Sequence, residues 1–419
     1  MGLSREYPLM HVPRIHWLLD RILTRIVRSG HLEVRFSDGE IRQYGAGSSP
    51  SASMVLRSPQ AERRLTLNPM LAMGELYMEG ELETPGCTIY DLLDVLTRDC
   101  LNTGQPWIIR LFNMLRQARK RLDQFNPAGR SRRNVAHHYD LDGRLYAHFL
   151  DHDRQYSCAY FPTGQETLEE AQRLKKRHIA AKLKLDRPDL DVLEIGSGWG
   201  GMALHLARNH GARVTGLTLS TEQLNLSRQR AAEAGLSDRV RFELMDYRAW
   251  RQPADRIVSV GMFEHVGIGH YQTFFETVRD RLRPDGIALI HAIGRAEGPG
   301  ATNPWIAKYI FPGGYSPALS EVLPAVEKSG LWTTDIEILR LHYALTLSHW
   351  RQRFQEARPT ITSLYDERFS RMFEFYLAGC ELAFRNMGHI VWQLQVSKSL
   401  TALPLTRDYM FEAERQAEG

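Results

Sequence analysis

The sequence has few cysteines, no long hydrophobic run and only a small net charge. Its four cysteines, Cys87, Cys100, Cys158 and Cys380, are scattered over 419 residues, so their spacing favours neither a disulfide framework nor a metal site. No apolar stretch approaches the roughly 20 residues that span a bilayer, and the first residues lack the apolar core of a signal peptide. The net charge of +4 is too small to indicate a nucleic-acid partner. We therefore expect a cytoplasmic protein without a metal.

The composition is that of a packed globular protein, with 43% hydrophobic and 24% charged residues. A chain of this length has room for two or three domains of roughly 100–200 residues each. Near the start, residues 31–36 and 40–44 have strand patterns on either side of a turn, which predicts a β-hairpin. Helical periodicity follows in residues 71–78 and 89–96. These patterns predict a small α+β domain over residues 1–125.

Basic residues crowd one segment near the end of the first predicted domain. From residue 107 to 122, apolar residues recur every three or four positions, and the basic residues between them are Arg110, Arg116, Arg119, Lys120 and Arg121. This pattern predicts a basic amphipathic helix, which can lie on an anionic membrane surface. A connecting helix packed by its apolar face explains the same pattern. The polar segment 126–131 then marks the start of a second domain, residues 126–419.

Beyond residue 183, predicted strands and helices alternate. The strands are 192–195, 214–217, 240–244, 257–260 and 287–291, and the helices are 201–208, 222–234 and 271–281. This order is typical of an α/β fold with a mostly parallel, Rossmann-like sheet and helices on both faces.

The first of these strands runs into a glycine-rich loop, Glu194-Ile195-Gly196-Ser197-Gly198-Trp199-Gly200-Gly201. The glycine spacing also satisfies the dinucleotide fingerprint, so it does not identify the cofactor by itself. The second strand, however, ends in Thr218-Leu219-Ser220 instead of the acid that holds a dinucleotide ribose, and Glu222 falls inside the next helix. The loop resembles that of class I S-adenosylmethionine (SAM) methyltransferases, in which the residue at Asp246 would hold the adenine.

Several flanking segments resemble the cyclopropane fatty acid synthase family over roughly residues 65–398. The matching stretches are 138–140, 156–161, 196–201, 261–267, 308–314, 342–347 and 376–381. The resemblance implies transfer of a methylene from SAM to a cis double bond of an unsaturated phospholipid acyl chain, which forms a cyclopropane fatty acid. It also implies a small N-terminal lipid-associated domain and peripheral association with the inner membrane face. One departure, Asp142-Gly143-Arg144, leaves the shape of the cofactor lid open.

The resemblance further implies a base that removes a proton from the added methyl group, namely a bound bicarbonate ion. Its predicted catalytic holders are Cys158, Glu264, His291 and Tyr343, with the backbone of Ile293 as another donor. The residues alone support part of this set, because Glu264 follows the fourth parallel strand and His291 ends the fifth, where ligands bind such sheets. Without the resemblance, Cys158 is better explained as an inert core residue and Tyr343 as an ordinary strand aromatic.

Other site positions follow from the same resemblance. Cys380 is a further catalytic candidate, although its segment has a helical pattern and core packing explains it better. The predicted cofactor positions are Tyr156, Ser157, Gly196, Gly198, Gly200, Thr218, Leu219, Gln223, Asp246 and Tyr247. Aromatic residues that would line an acyl channel or face a cation are Tyr160, Phe161, Phe263, Trp305, Tyr309 and Phe311.

Three alternatives stay open at this point. A related enzyme would leave a methyl or methylene branch on the acyl chain instead of closing a ring. A second alternative methylates an amine or another small molecule, and the retained set of catalytic residues argues against it. A third is a lipid-binding protein with a degenerate enzyme domain, against which the intact glycine loop argues. The sequence fixes neither the acyl substrate nor the oligomeric state, for which a homodimer is one option.

Overall fold

The computed structural model describes residues 16–47, 49–100 and 143–416. The chain divides into two compact units, Met1–Trp107 and Ile108–Gly419. The predicted basic helix and the predicted boundary near residue 125 lie outside the described residues. Both therefore stay predictions.

In its described residues, the first unit joins a small sheet to four helices. Its elements are α1 (His16–Ile26), β1 (His31–Arg35), β2 (Ile41–Tyr44), β3 (Ser51–Leu56), α2 (Pro59–Leu67), α3 (Pro69–Glu79), β4 (Leu82–Glu83) and α4 (Ile89–Thr97). β1 and β2 pair antiparallel, which confirms the predicted hairpin. The strand order is β2-β1-β3-β4. Leu32 and Val34 are both fully buried, because alternate residues of a strand point to the same face.

The second unit contains a seven-stranded sheet and ten α-helices within its described residues. Its elements are α5 (Gly143–Phe149), α6 (Leu168–Lys182), β5 (Asp191–Ile195), α7 (Gly201–His210), β6 (Arg213–Thr218), α8 (Thr221–Glu233), β7 (Val240–Leu244), β8 (Ala254–Val260), α9 (Tyr271–Arg281), β9 (Leu282–Arg295), α10 (Pro304–Tyr309), α11 (Leu319–Ser329), β10 (Trp332–Leu339), α12 (His342–Leu364), α13 (Glu367–Asn386), β11 (His389–Ser397) and α14 (Asp408–Gln416). Among the described helices, none has both the length and the apolar character needed to cross a bilayer.

The sheet has the order β10-β11-β9-β8-β5-β6-β7. Strands β5 to β9 are parallel, whereas β11 runs antiparallel to both of its neighbours. Both faces are buried, since Val192 packs in a core with α7 and α8 and the next residue, Leu193, packs in a core with α9 and α11. These features confirm the predicted α/β fold with a mostly parallel sheet.

Two local predictions were wrong. Tyr343 does not lie in a strand, because helix α12 begins at His342 and runs for 23 residues. His291 does not end its strand, because β9 continues to Arg295 while it pairs with β11. His291 nevertheless lies level with the end of the neighbouring strand, as the partner of Val260.

Candidate active site

A pocket opens at the carboxyl ends of the central parallel strands. The loops that follow β5, β6, β7 and β8 contribute to its wall, together with residues 154–157, which precede α6. In open α/β sheets ligands bind at this edge, because the loops there diverge to the two faces of the sheet. The second unit therefore places the predicted cofactor loop where such a fold binds ligands.

The glycine loop brings backbone directly to the pocket. Gly198 has φ of +52°, and no atom lies within 4 Å of the position that a Cβ would take there. It lines the pocket, as does Gly196. Gly200 is packed against the core instead, since a Cβ there would lie 2.6 Å from Cζ of Phe242, a residue of β7. The space at Gly198 thus fits a ligand approaching the backbone, whereas Gly200 permits close packing.

Polar side chains lie at or just after the carboxyl ends of β6 and β7. Thr218 Oγ1 donates to Gln223 Oε1 at 2.9 Å, and both residues are buried in the wall of the pocket. Asp246 accepts hydrogen bonds from Arg248, at 2.8 Å from Nε and 2.7 Å from Nη2. Leu219 and Tyr247 complete this side. The set offers hydroxyl, amide and carboxylate groups of the kind that the ribose and adenine of SAM require.

Residues 154–157 form a further part of the pocket wall. The Tyr156 hydroxyl lies 2.7 Å from that of Tyr376, and the Tyr156 ring stacks on Trp350 with centroids 5.1 Å apart. Ser157 lies next to it in the wall. Contacts with α12 and α13 therefore hold this segment in place.

The pocket gathers nine of the ten predicted cofactor residues, all except Gly200. The wall has fifteen further members that were not predicted as cofactor residues, among them Arg154, Trp199, Met262 and His265. Trp199 and His265 are next in sequence to the predicted site residues Gly198 and Glu264, and this proximity is the signal that could have identified them. Burial lowers the pKa of His265 to about 4, which keeps its ring neutral.

Glu264 lies in a short 3₁₀ helix just after β8. Its Oε1 accepts a hydrogen bond from the Ile293 N–H at 2.7 Å. The Ile293 N–H, which was predicted to donate to a bound anion, is therefore directed at Glu264. Among the described residues, the buried Oε2 of Glu264 has no hydrogen-bond partner. Burial raises the pKa of Glu264 to about 7.

His291 is two residues before Ile293 on β9, so the two lie on the same face of the strand. Its Nδ1 lies 3.2 Å from Nε2 of Gln393. Because an amide nitrogen donates, Nδ1 accepts, and the proton of the neutral ring is placed on Nε2. Burial, the largest cause, lowers the pKa of His291 well below its usual value. Within the described residues, Nε2 is buried without a partner.

The two cysteines of the predicted set are neutral thiols. Burial raises the pKa of Cys158 far above its ordinary value, and its Sγ donates to the carbonyl of Ala159 at 3.3 Å. Burial likewise raises the pKa of Cys380, which lies in α13, to about 12. Neither is activated as a nucleophile, because the thiolate is the reactive form.

Tyr343 lies near the first turn of α12, and its ring packs against Trp350 and Phe384 at centroid distances of 5.8 and 5.0 Å. The same turn contacts the Cys158 segment, since Thr346 Oγ1 accepts a hydrogen bond from the Ala159 N–H at 3.0 Å. Cys158, Glu264, His291 and Tyr343 do not line the pocket itself. Ser157, Met262, His265 and Val260 line it, and each is a sequence neighbour or strand partner of one of the first three.

Of the six aromatic residues predicted for an acyl channel, two belong to hydrophobic clusters, and the other four make ring contacts. Phe263 belongs to the core beneath α9, and Phe161 belongs to a small cluster with Ala159 and Ala171. The centroid of the Phe311 ring lies 6.1 Å from that of His265, which lines the pocket. Tyr160 stacks between His178 and His342, and Trp305 packs on Tyr309 and Phe375. Core packing explains Phe263 and Phe161.

The fold and this pocket define a class I SAM-dependent methyltransferase. Residues 127–394 match the family described as mycolic acid cyclopropane synthetase, and residues 18–100 match a domain family of unknown function. The chain therefore belongs to the mycolic acid cyclopropane synthetase family. This result confirms the predicted family, fold class and enzyme class.

Related proteins match the sequence of this chain over most of their length. A cyclopropane-fatty-acyl-phospholipid synthase of Escherichia coli K12 is 38% identical over 358 residues, which are 84% of this chain and 90% of that one. A probable fatty acid methyltransferase of Pseudomonas putida is 34% identical, over 92% of this chain and 98% of that one. The crystal structure of the mycolic acid cyclopropane synthase CmaA1 with SAH and CTAB is 32% identical, with a TM-score of 0.61 over 66% of this chain and all of that one.

Proposed function

We propose that this enzyme transfers a methylene from SAM to a cis double bond of unsaturated phospholipid acyl chains and so forms a cyclopropane ring. The observation that carries the proposal is a buried acceptor, Glu264 Oε2, and a buried donor, His291 Nε2, beside a SAM pocket and without partners among the described residues. The named activity of the Escherichia coli relative supports the same reaction.

SAM supplies an electrophilic methyl group on a sulfonium. An alkene is a weak nucleophile, so the residues of this chain must hold the double bond in line with that methyl group and exclude water. The segment 154–157 contributes to this as part of the pocket wall, anchored through Tyr156 to Trp350 and Tyr376. His265 contributes a neutral ring to the wall, and the apolar ring of Phe311 lies 6.1 Å from it, which suits an acyl chain.

Ring closure needs a base that takes a proton from the transferred methyl group, and we propose bicarbonate for this role. A bicarbonate ion has a hydroxyl that donates and oxygens that accept. Glu264 Oε2 provides the matching acceptor, and His291 Nε2 provides a matching donor. Ile293 and Gln393 then act as orienting residues, since each bonds the other polar atom of one of these side chains. We propose that Cys158 and Tyr343 complete the set that holds this ion.

The second candidate product is a methyl-branched chain, which the name of the Pseudomonas putida relative favours. Incubation with labelled SAM and vesicles of unsaturated phospholipid, followed by mass spectrometry of the released fatty acids, separates the two. A saturated methyl-branched product is heavier than the cyclopropane product by two hydrogens. A methylene-branched product has the same mass as the cyclopropane, but mild hydrogenation reduces it and leaves the ring intact. Label appearing in added amines instead of lipid would contradict the proposal.

Access to acyl chains requires binding at a membrane surface, and we propose peripheral association with the inner membrane face. The basic segment that includes Arg116, Arg119, Lys120 and Arg121 supports it, because each such charge near an anionic bilayer contributes about 1 kcal/mol.

Replacing these four residues by Gln should weaken binding to anionic vesicles, and added salt should weaken binding of the wild type. Co-sedimentation with anionic vesicles measures both effects, with uncharged phosphatidylcholine vesicles as the control. Unchanged affinity of the fourfold variant would mean that this segment does not bind the membrane surface.

A further inference from the structure

A lysine without a role in the proposed mechanism lies buried behind the pocket wall. Lys175, in α6, has a side chain that is 0% exposed. Its Nζ donates to Gln155 Oε1 at 2.7 Å and to Ser157 Oγ at 2.9 Å, and both of these residues line the pocket. A buried ammonium group is unfavourable unless an opposite charge or strong hydrogen bonds compensate it. The two hydrogen bonds of Lys175 offset part of the cost of burying this ammonium group.

The protein itself provides only part of this compensation. Lys175 forms no salt bridge with any residue that the structure describes, whereas its neighbour Lys176 pairs with Asp153. The two hydrogen-bond acceptors of Lys175 are neutral oxygens. Burial is the largest cause acting on the pKa of Lys175 and lowers it to about 8. The charges of Asp151 and Asp153 act in the opposite direction, and the charge of Lys176 adds to the lowering. An anionic ligand in the pocket would complete the compensation.

The charge of Lys175 acts on several groups at the site. Burial is the largest cause of the pKa shifts of Cys158, Glu194 and His291, and the positive charge of Lys175 is a further cause at each of them. Lys175 is thus within electrostatic range of both the glycine loop and the proposed bicarbonate site. Few residues of a soluble fold combine full burial, a positive charge and this position.

The order of the strands indicates which part of SAM lies closest to Lys175. Adenine and ribose groups fit the polar residues after β7 and β6, so the amino-acid end of SAM extends toward β8 and residues 155–157. That end carries the carboxylate of SAM. We propose that Lys175 is a positioning residue that acts through Ser157 and Gln155 to make this end of the pocket selective for the carboxylate. Since Nζ occupies a lone pair of Ser157 Oγ, the hydroxyl hydrogen is left to donate into the pocket.

A second buried residue of α6 provides a control that distinguishes the effect of the lysine charge from the effect of structural support. Gln172, three residues before Lys175, is also fully buried, and its Nε2 donates to the carbonyls of Ser157 at 2.9 Å and Gln155 at 3.3 Å. It holds the same segment through the backbone and carries no charge. The variant Gln172→Leu is therefore a matched control for loss of support alone.

The proposal rests on the proposed cofactor site and is tested by calorimetry with SAM and with decarboxylated SAM, which lacks the carboxylate. Lys175→Met should lower the affinity for SAM roughly 10- to 100-fold and leave the affinity for decarboxylated SAM within about twofold. Gln172→Leu should weaken both ligands alike. Ser157→Ala should also lower the preference for SAM over decarboxylated SAM.

An equal loss for both ligands in Lys175→Met, or no loss for SAM, would overturn the proposal. Circular dichroism checks that the variants fold, and if Lys175→Met does not, an unchanged preference in Ser157→Ala overturns it instead. Failure of the wild type to bind SAM at all would contradict the cofactor site, and this outcome is distinct from a failure of the lysine proposal.

Discussion

Glu264→Gln should keep the affinity for SAM and lower product formation by roughly 10²–10⁴-fold, the effect typical of losing a positioned acid-base group. The amide oxygen of the variant can still accept the Ile293 N–H, which holds Glu264 Oε1 at 2.7 Å in the wild type. The amide nitrogen then points where Oε2 lies. A donor would therefore face the hydroxyl of the proposed bicarbonate ion in place of an acceptor, and the negative charge would be lost.

The measurement compares SAM affinity and lipid products for the wild type and this variant. Slower proton removal gives the intermediate cation time to react otherwise, so residual product should include branched or unsaturated chains. His291→Gln provides a second comparison. If Glu264 and His291 hold one ion, the double variant should lose little more activity than the worse single variant, because groups that act as a unit are not additive. Full activity of Glu264→Gln would remove this residue from the mechanism.

The central part of the fold could be predicted because its strands are buried on both sides and its helices are separated by clear turns. The bounds predicted for β7 and α9 agree with the structure at both ends. Errors arose where distant segments determine local structure. The strand that contains His291 extends to Arg295 because β11, about 100 residues later in the chain, pairs with it. Tyr343 belongs to a helix whose start is anchored by long-range contacts, such as the hydrogen bond from the Phe161 N–H to His342 Nδ1.

The cofactor pocket was more predictable than the groups around it. Glycine spacing and strand ends bring Gly198, Thr218 and Asp246 together, and these features are local in the sequence. No local signal indicates that Lys175 is buried, since a lysine on an amphipathic helix is ordinarily assigned to solvent. Likewise, the hydrogen bond between Glu264 and Ile293 depends on the contact between the short helix after β8 and strand β9, and only the tertiary structure reveals it.

Gly198→Val should abolish measurable SAM binding, whereas wild-type protein should bind SAM and no nicotinamide dinucleotide. The Cβ position at Gly198 points into open space in the pocket, so the branched side chain would occupy the place where the cofactor approaches the backbone. The φ of +52° also strains any residue with a Cβ, by roughly 1–2 kcal/mol in the free energy of unfolding.

A second glycine allows this strain to be separated from the loss of space. Gly235, just after α8, has φ of +67°, has no atom within 4 Å of its Cβ position and does not line the pocket. Gly235→Val should therefore lower the thermal unfolding temperature to a similar extent as Gly198→Val and still bind SAM in calorimetry. Because the two variants differ mainly in where the valine lies, loss of binding in only one of them assigns the effect to the pocket. Wild-type affinity for SAM in Gly198→Val would contradict the placement of the cofactor at this loop.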